Sequence, residues 1–122
     1  MEVSPHLTFK GQCEAAFEFY ARILGGTIVT MLAYRNSPIA EQVPPEWRSK
    51  IVHASLMVGH IRLAGADALP ADYEPPRGFY VLLSVDDPAD ARRKFQALAE
   101  NGTVRMPIQT TFWSPAFGVL VD

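Results

Sequence analysis

The sequence predicts an α+β fold in which a βαβββ module occurs twice and forms a cupped mixed sheet with helices on its outer face. Two segments show the apolar spacing of amphipathic helices, one from Cys13 to Leu24 and one that begins after Asp87. Each helix follows a short segment of strand character, and each ends at glycine. Three residues also recur 76 positions later: Phe19, Gly26 and Thr27 return as Phe95, Gly102 and Thr103.

The length of 122 residues corresponds to a single domain over residues 1–122, with one core. The first module covers about residues 1–66 and the second about residues 78–122, and we expect the second to be truncated at its last strand. Apolar residues make up 48% of the chain and charged residues 20%, which is ordinary for a folded globular protein.

The first module begins with a predicted strand from Ser4 to Phe9, where apolar and polar residues alternate. The helix from Cys13 to Leu24 ends at Gly25-Gly26, because glycine readily adopts the left-handed conformation of a helix C-cap. Thr27 to Tyr34 is apolar and rich in β-branched residues, which favours a second strand.

The segment from Arg35 to Lys50 contains three prolines and is predicted as a long loop or a short helical turn. Loops of this length act as lids over sites or run freely over the surface, and the sequence leaves both open. Ile51 to Val58 alternates, and a turn at Gly59-His60 leads into Ile61 to Ala64. A β-hairpin is therefore expected.

The second module follows a proline-rich linker from Asp67 to Gly78 and opens with a predicted strand from Phe79 to Val85. Asp87 has the chemistry of an N-cap, with Pro88 at the first helical position. A buried apolar stripe is expected along this helix, formed by Ala91, Phe95, Leu98 and Ala99.

The bulk charge and the cysteine content exclude several classes of protein. A net charge of −2 and a pI near 5.9 argue against nucleic acid and anionic membranes as partners. Cys13 is the only cysteine, which favours a reducing compartment; it stands where a helix should begin and is predicted to be inert rather than catalytic. No apolar run approaches the ~20 residues of a membrane span, so the cytoplasm is the expected location.

The stretch from Met106 to Gly118 concentrates aromatic residues and prolines, and it resembles the wall of a pocket. Core sheet is the alternative interpretation of the same residues. We expect this stretch to lead into the closing hairpin of the second module, with a strand around Phe117 to Val121. Its free edge should be covered by a dimer partner or be disordered.

One face of the predicted sheet differs in chemistry from the other. The more uniformly apolar set should face the helices, and the opposite set should line a cavity. The cavity set consists of His6, Thr8, His53, Ser55, Met57, Tyr80 and Ser84.

In the order of its sequence motifs, the chain resembles the PhnB-like group of the glyoxalase, bleomycin-resistance and extradiol-dioxygenase superfamily, also called the vicinal oxygen chelate fold. The resemblance rests on an ordered set of pieces along nearly the whole chain: Pro5 to Phe9, Glu14 to Tyr20, Gly25-Gly26, Ile51 to Leu56, Phe95 to Gly102, Met106-Pro107 and Thr111 to Trp113. It implies paired βαβββ modules and a homodimer. It implies no particular substrate.

The resemblance also implies a divalent metal, with ligands from the first strand of each module and from the last strand of the second. His6 matches the first position. The second position falls between Tyr80 and Leu82, where no usual ligand stands, and the third has no counterpart, so the triad is incomplete. His53 is a candidate for binding a substrate oxygen or for acid–base chemistry, and His60 is expected to be exposed.

Three functions follow as alternatives. The first is a metal-dependent lyase, isomerase or dioxygenase, with His6 as the remaining metal ligand and His53 as the base. The second is a metal-free binding or resistance protein that grips an aromatic or amphipathic small molecule in an aromatic-lined cup. The third is a vestigial cup that serves assembly. For the first two, the predicted substrate-binding residues are Thr8, His53, Ser55, Met57, Tyr80, Phe112 and Trp113.

Overall fold

A computed structural model describes all 122 residues, which divide into two compact units, Met1–Tyr80 and Val81–Asp122. The first unit contains strands β1 (His6–Phe9), β2 (Thr27–Ala33), β3 (Ile51–Val58) and β4 (Ile61–Asp67), with helix α1 (Cys13–Leu24). The second contains helix α2 (Pro88–Ala99) and strands β5 (Thr103–Gln109) and β6 (Phe117–Val121). The predicted α+β class is confirmed.

The four strands of the first unit form one mixed sheet in the order β1-β4-β3-β2. Strand β1 runs parallel to β4, whereas β3 pairs antiparallel with both β4 and β2. The predicted hairpin is therefore present, and its second strand extends to Asp67, three residues beyond the predicted end. Strand β1 reaches the sheet only through β4.

Helix α1 packs against one face of this sheet and forms the core with it. Phe17 of α1 is fully buried, as are Ala54 and Leu56 of β3. The ring of Phe17 lies so close to Gly65 of β4 that a Cβ there would stand 2.7 Å from it. Phe9 meets the same ring edge to face at 6.1 Å. The helix ends as predicted at Gly25, whose φ of 73° is the left-handed conformation.

The N-terminus of α1 is capped from a distance. Asp67, at the end of β4, is 1% exposed, and its Oδ1 accepts hydrogen bonds from the backbone N–H of Gly11 (2.8 Å) and of Cys13 (3.0 Å). Its Oδ2 accepts from the N–H of Ile51 at 2.9 Å. One buried carboxylate thus joins the start of the helix to the start of β3. It accepts a hydrogen bond from a backbone N–H of the first helical turn that has no partner within the helix.

The segment from Arg35 to Lys50 is folded back on itself by three short 3₁₀ turns. Val43 from this segment is buried, and the Arg48 side chain donates a hydrogen bond to the carbonyl of Ala40 at 3.1 Å. At its base, the N–H groups of Tyr34 and Arg35 donate to the carbonyls of Lys50 and Arg48. The loop is therefore anchored to its own unit.

Helix α2 in the second unit has the predicted N-cap, since the Asp87 side chain accepts a hydrogen bond from the N–H of Ala89 at 3.3 Å. Strands β5 and β6 form an antiparallel two-stranded sheet. The ring of Phe95 on α2 packs so closely on Gly118 that a Cβ there would stand 2.6 Å from it. The helix stripe is only half-buried, contrary to expectation, because two strands cover less of a helix than four do.

The predicted strand from Phe79 to Val85 is wrong, since these residues form no ladder with any other segment. Alternation predicts which side chains share a face, but a strand exists only when a neighbour accepts its backbone hydrogen bonds. In the first unit β4 is that neighbour for β1. The second unit contains no equivalent of β4.

Neither helix of the chain has the length and apolar character needed to cross a membrane.

Candidate functional site

The face of the four-stranded sheet opposite α1 carries the side chains that the sequence placed in a cavity. Ala54 and Gly65 are register partners, and Gly65 contacts Phe17, so that pair faces the helix. Ser55 follows Ala54 and therefore lies on the other face. By the same alternation and register, His6, Thr8, His53 and Met57 share that face with Ser55.

A row of four residues crosses this face and has Ser55 near its centre. His6 of β1 is the register partner of Ala64 of β4, Ala64 pairs with Ser55 of β3, and Ser55 pairs with Thr30 of β2. Two hydroxyls and one imidazole thus stand in a line, interrupted only by the methyl group of Ala64. Sequence alternation alone did not single out Thr30, because its place depends on the register between β2 and β3.

Ser55 is the unusual member of the row. Its side chain is fully buried, and its Oγ has no hydrogen-bond partner. A buried hydroxyl without a partner costs about 1–3 kcal/mol relative to a satisfied one. Thr30 and Ala64 flank it across the strands, and Met57 lies two residues along the same face. Met57 is half-buried, and its unbranched thioether side chain is the most adaptable neighbour of the hydroxyl.

The other predicted residues of this face are solvent-exposed. His53, Thr8 and His6 are all exposed, and His53 has Leu32 as its register partner. The exposed His60 stands in the turn between β3 and β4, as expected. His53 and Thr8 are therefore accessible to a molecule that lies on this face, whereas Ser55 is fully buried.

The donor set around His6 does not fit a divalent metal. Its row supplies a methyl group and two hydroxyls, none of which is a usual ligand of Zn²⁺, Ni²⁺, Fe²⁺ or Mn²⁺. His53 lies in a different row, two strands away from β1, which places the two histidine Cα atoms roughly 12 Å apart from ordinary strand spacings. No group of three His, Cys, Asp or Glu side chains in the chain has a metal-binding arrangement.

The remaining candidate for chemistry in the first unit, Cys13, is buried and held protonated. Burial raises the pKa of its thiol from the usual value near 9.0 to about 12, and the charges of Asp67 and then Glu14 raise it further in the same direction. The pKa of Tyr34 is raised as well, by burial first and then by Asp67 and Asp72. The Tyr34 hydroxyl donates to the backbone carbonyl of Asp67 at 2.7 Å. This hydrogen bond ties β2 and the loop that follows it to the end of β4.

The remaining predicted site residues are aromatic: Tyr80, Phe112 and Trp113. Tyr80 is 66% exposed in the irregular segment at the end of the first unit. Phe112 and Trp113 belong to the second unit, where they pack edge to face at 4.5 Å. Trp113 also packs on Phe117 at 5.2 Å, and both rings line a pocket of about 360 Å³. The rest of its lining is Leu82, Leu83, Ser84, Val85, Ala91, Ser114 and Ala116.

A network of hydrogen bonds holds the turn that carries these aromatic rings. The N–H of Thr111 donates to the carbonyl of Ser114 at 2.8 Å, and the N–H of Ser114 donates back to the Thr111 hydroxyl at 3.1 Å. Two further donors, the Thr110 hydroxyl (3.0 Å) and the Arg92 guanidinium (3.3 Å), reach the carbonyl of Pro115. These hydrogen bonds hold the backbone of the turn that carries Phe112 and Trp113.

Comparison with known proteins agrees with this architecture. A family model described as the Glyoxalase/Bleomycin resistance protein/Dioxygenase superfamily matches residues 5–122. Protein YjdN of Escherichia coli (strain K12) is 30% identical over 130 residues, an alignment that covers 100% of this chain and 88% of YjdN.

Two solved structures share the fold. The crystal structure of protein PA1353 from Pseudomonas aeruginosa has a TM-score of 0.90 and 43% sequence identity, covering 100% of this chain and 90% of PA1353. A Bacillus cereus PhnB protein, described as a putative 3-demethylubiquinone-9 3-methyltransferase, has a TM-score of 0.83 at 20% identity, covering 100% and 92% of the two chains. The chain therefore belongs to the glyoxalase, bleomycin resistance protein and dioxygenase superfamily.

Proposed function

We propose that this protein binds a small, oxygen-bearing organic molecule on the face of the four-stranded sheet opposite α1, without a metal centred on His6. Ser55 would donate its hydroxyl to a ligand oxygen, His53 and Thr8 would provide hydrogen bonds at the exposed part of the face, and Met57 would supply apolar contact. The observation that carries the proposal is the buried, unpartnered Oγ of Ser55 in the polar row.

The physical reason is a balance between stability and binding. A fully buried hydroxyl costs free energy when it has no partner, and alanine at the same position would not carry that cost. A ligand atom that accepts a hydrogen bond from Ser55 would offset the cost only in the complex. The orphaned hydroxyl therefore favours a binding role over a purely structural one.

The metal-dependent alternative has weaker support. It needs further ligands beside His6, and the register partners of His6 do not provide them. A role for Tyr80, Phe112 and Trp113 in substrate binding stays a prediction.

The test is a pair of serine substitutions studied with a library of small organic acids, ketones and aromatic compounds. Ser55→Ala should leave the free energy of unfolding unchanged or raise it by about 1 kcal/mol, because it removes an unsatisfied polar group. Compounds that raise the melting temperature of the wild-type protein should bind the variant at least about tenfold more weakly, a loss of about 1.4 kcal/mol.

Ser49→Ala, at an exposed position outside the sheet, is the matched control and should change neither quantity. Equal ligand affinities of the Ser55→Ala variant and the wild-type protein would refute the proposal. So would a Ser55→Ala variant that is strongly destabilised, since its hydroxyl would then have a structural partner.

A further inference from the structure

Arg62 stands on the same sheet face as the residues of the proposed ligand site. It belongs to β4 and is the register partner of Met57 on β3. Met57 lies two residues from Ser55 and therefore on the same side of the strand. Because register partners point to the same side of a sheet, the Arg62 side chain lies on this face and not on the face that packs on α1.

Arg62 supplies the permanent positive charge of the four strands. Among the residues of β1 to β4, only Arg62 and Asp67 are Lys, Arg, Asp or Glu. Asp67 is buried on the opposite side of the sheet, where it caps α1. The Arg62 side chain is 41% exposed. A ligand on this face therefore meets a fixed cation and no negative charge from the strands, which favours an anionic ligand.

The carboxylate of Glu2 already contacts part of the Arg62 guanidinium group. Its Oε1 lies 3.4 Å from Nε of Arg62 and accepts a hydrogen bond from the Ser4 hydroxyl at 3.2 Å. Because the ion pair uses Nε, the two terminal nitrogens of Arg62 keep their donors for another acceptor. An arginine binds a carboxylate most strongly through two parallel hydrogen bonds, which this single contact does not provide. The guanidinium group thus attracts a carboxylate here and is not saturated by it.

The segment before β1 brings Glu2 to this position. Strand β1 runs parallel to β4, so the residues before His6 follow β4 back towards Arg62. The carbonyl of Pro5 accepts a hydrogen bond from the N–H of Ala64 at 3.0 Å and holds the segment beside β4. The Glu2 side chain is 66% exposed. Exposed ion pairs contribute little to stability, so a ligand carboxylate can displace Glu2 at small cost.

The spacing between Arg62 and Ser55 suits a small molecule with polar groups at two ends. Ser55 pairs with Ala64, which is two residues along β4 from Arg62, so Ser55 and Arg62 are diagonal neighbours. The Cα atoms of such neighbours lie roughly 7–8 Å apart, within reach of a long side chain. Met57 adjoins both residues and offers apolar contact to the carbon atoms between the two polar ends.

We propose that Arg62 is the anion-binding residue of this face and that the ligand is a small carboxylic acid with a second oxygen, a hydroxy acid or a keto acid. The proposal rests on the function proposed above, in which Ser55 binds an oxygen of the ligand. The ligand carboxylate binds the Arg62 guanidinium group through two parallel hydrogen bonds and displaces Glu2 from Nε. Glu2 therefore competes with the acid for the same cation.

The experiment compares small acids with their uncharged methyl esters. Dissociation constants for pyruvate, lactate and benzoylformate, and for the methyl ester of each, are measured by calorimetry on the full chain. The wild-type protein should bind each acid about tenfold or more tightly than its ester. Arg62→Gln should remove this preference by weakening the binding of the acids alone. Arg62→Lys should restore part of it, because it keeps the charge and loses the two-pronged geometry.

A second substitution tests the competition by Glu2. Glu2→Gln should bind the acids about twofold to fivefold more tightly than the wild-type protein, because the competing carboxylate is gone, and should bind the esters equally well. Arg35→Gln and Glu46→Gln make the same changes of charge at exposed positions outside the sheet. They are the matched controls, and neither should change the ratio of acid to ester affinity.

The outcomes separate this proposal from the function on which it rests. Equal wild-type affinities for acids and esters, no binding of any of the acids, or an acid preference that survives in Arg62→Gln would overturn the role of Arg62. The esters report on Ser55, since they keep the second oxygen and lack the charge. An acid preference that is lost in Arg62→Gln, together with unchanged affinities in Ser55→Ala, would support the anion site and refute the role of Ser55.

Discussion

The two units share part of their order of elements and have very different interiors. In each, a helix is followed by an antiparallel pair of strands, and β2 and β5 begin at Thr27 and Thr103, 76 residues apart as the sequence echo predicts. All the buried apolar residues belong to the first unit. The difference arises because β4 joins β1 to the first sheet, whereas Phe79–Val85 belongs to no sheet.

The comparison teaches that a repeated sequence pattern produces equal packing only when each copy has a complete set of strands. Hydrophobic burial stabilises a unit in proportion to the apolar area that its elements remove from water. Four strands cover α1 well enough to bury Phe17 completely, while two strands leave every residue of α2 at least partly exposed. The first unit should therefore hold most of the stability of the chain.

The largest expected effect compares a buried phenylalanine of the first unit with the equivalent phenylalanine of the second. Phe17→Ala should lower the free energy of unfolding by about 3–5 kcal/mol, because it leaves a cavity in a fully buried site. Phe95→Ala, the equivalent change on α2, should cost less than half as much, since Phe95 is only half-buried. Urea unfolding followed by circular dichroism gives both values. Equal losses at the two positions would contradict the assignment of stability to the first unit.

A second, smaller effect concerns the buried carboxylate that joins α1 to the sheet. Asp67→Asn should destabilise the chain by about 2–3 kcal/mol, because an amide has one acceptor oxygen for three backbone N–H donors and brings its own unsatisfied N–H groups. Asp86→Asn, at an exposed position of the second unit, is the control and should change stability by less than about 0.5 kcal/mol. If both variants unfold at the same urea concentration, Asp67 does not have this role.

The smallest effect is a difference between the units in how their stability depends on pH. Burial is the main cause that raises the folded-state pKa of Cys13 to about 12. The contribution of Cys13 to the free energy of unfolding is therefore complete below pH 9.0 and is lost as the pH rises from there towards 12. The raised pKa of Tyr34 likewise contributes stability that is lost as the pH rises. In the second unit, the hydrogen bond from Lys94 is the main cause that lowers the pKa of Asp90, so that contribution is lost as the pH falls through the lowered value.

Hydrogen exchange at the two pH extremes measures this difference. Alkaline pH should loosen β3 and α1 before α2, and Cys13→Ala should reduce the loss of stability above pH 9.0. Acid should loosen the start of α2, where Asp90 lies, and Asp90→Asn should remove that acid sensitivity. Identical pH profiles for α1 and α2 would be inconsistent with these pKa shifts.

Part of the candidate site could be predicted from the sequence and part could not. Alternation placed His6, Thr8, His53, Ser55 and Met57 on one face, because side-chain direction in a strand follows directly from residue order. Whether Ser55 is buried and lacks a partner depends on the strands beside it. The separation of His6 from His53 likewise follows from the strand order, since β4 lies between β1 and β3.

By itself, the sequence determined the local elements of this protein: both helices, the C-cap of α1 at Gly25, the N-cap of α2 at Asp87, the β3–β4 hairpin and the spacing between the modules. These depend on contacts within a few residues, where residue type dictates conformation. Only the tertiary structure decided that Asp67 caps a helix 54 residues away and that Phe79–Val85 is no strand. Both outcomes depend on which distant backbone groups meet, and residue order alone does not specify such meetings.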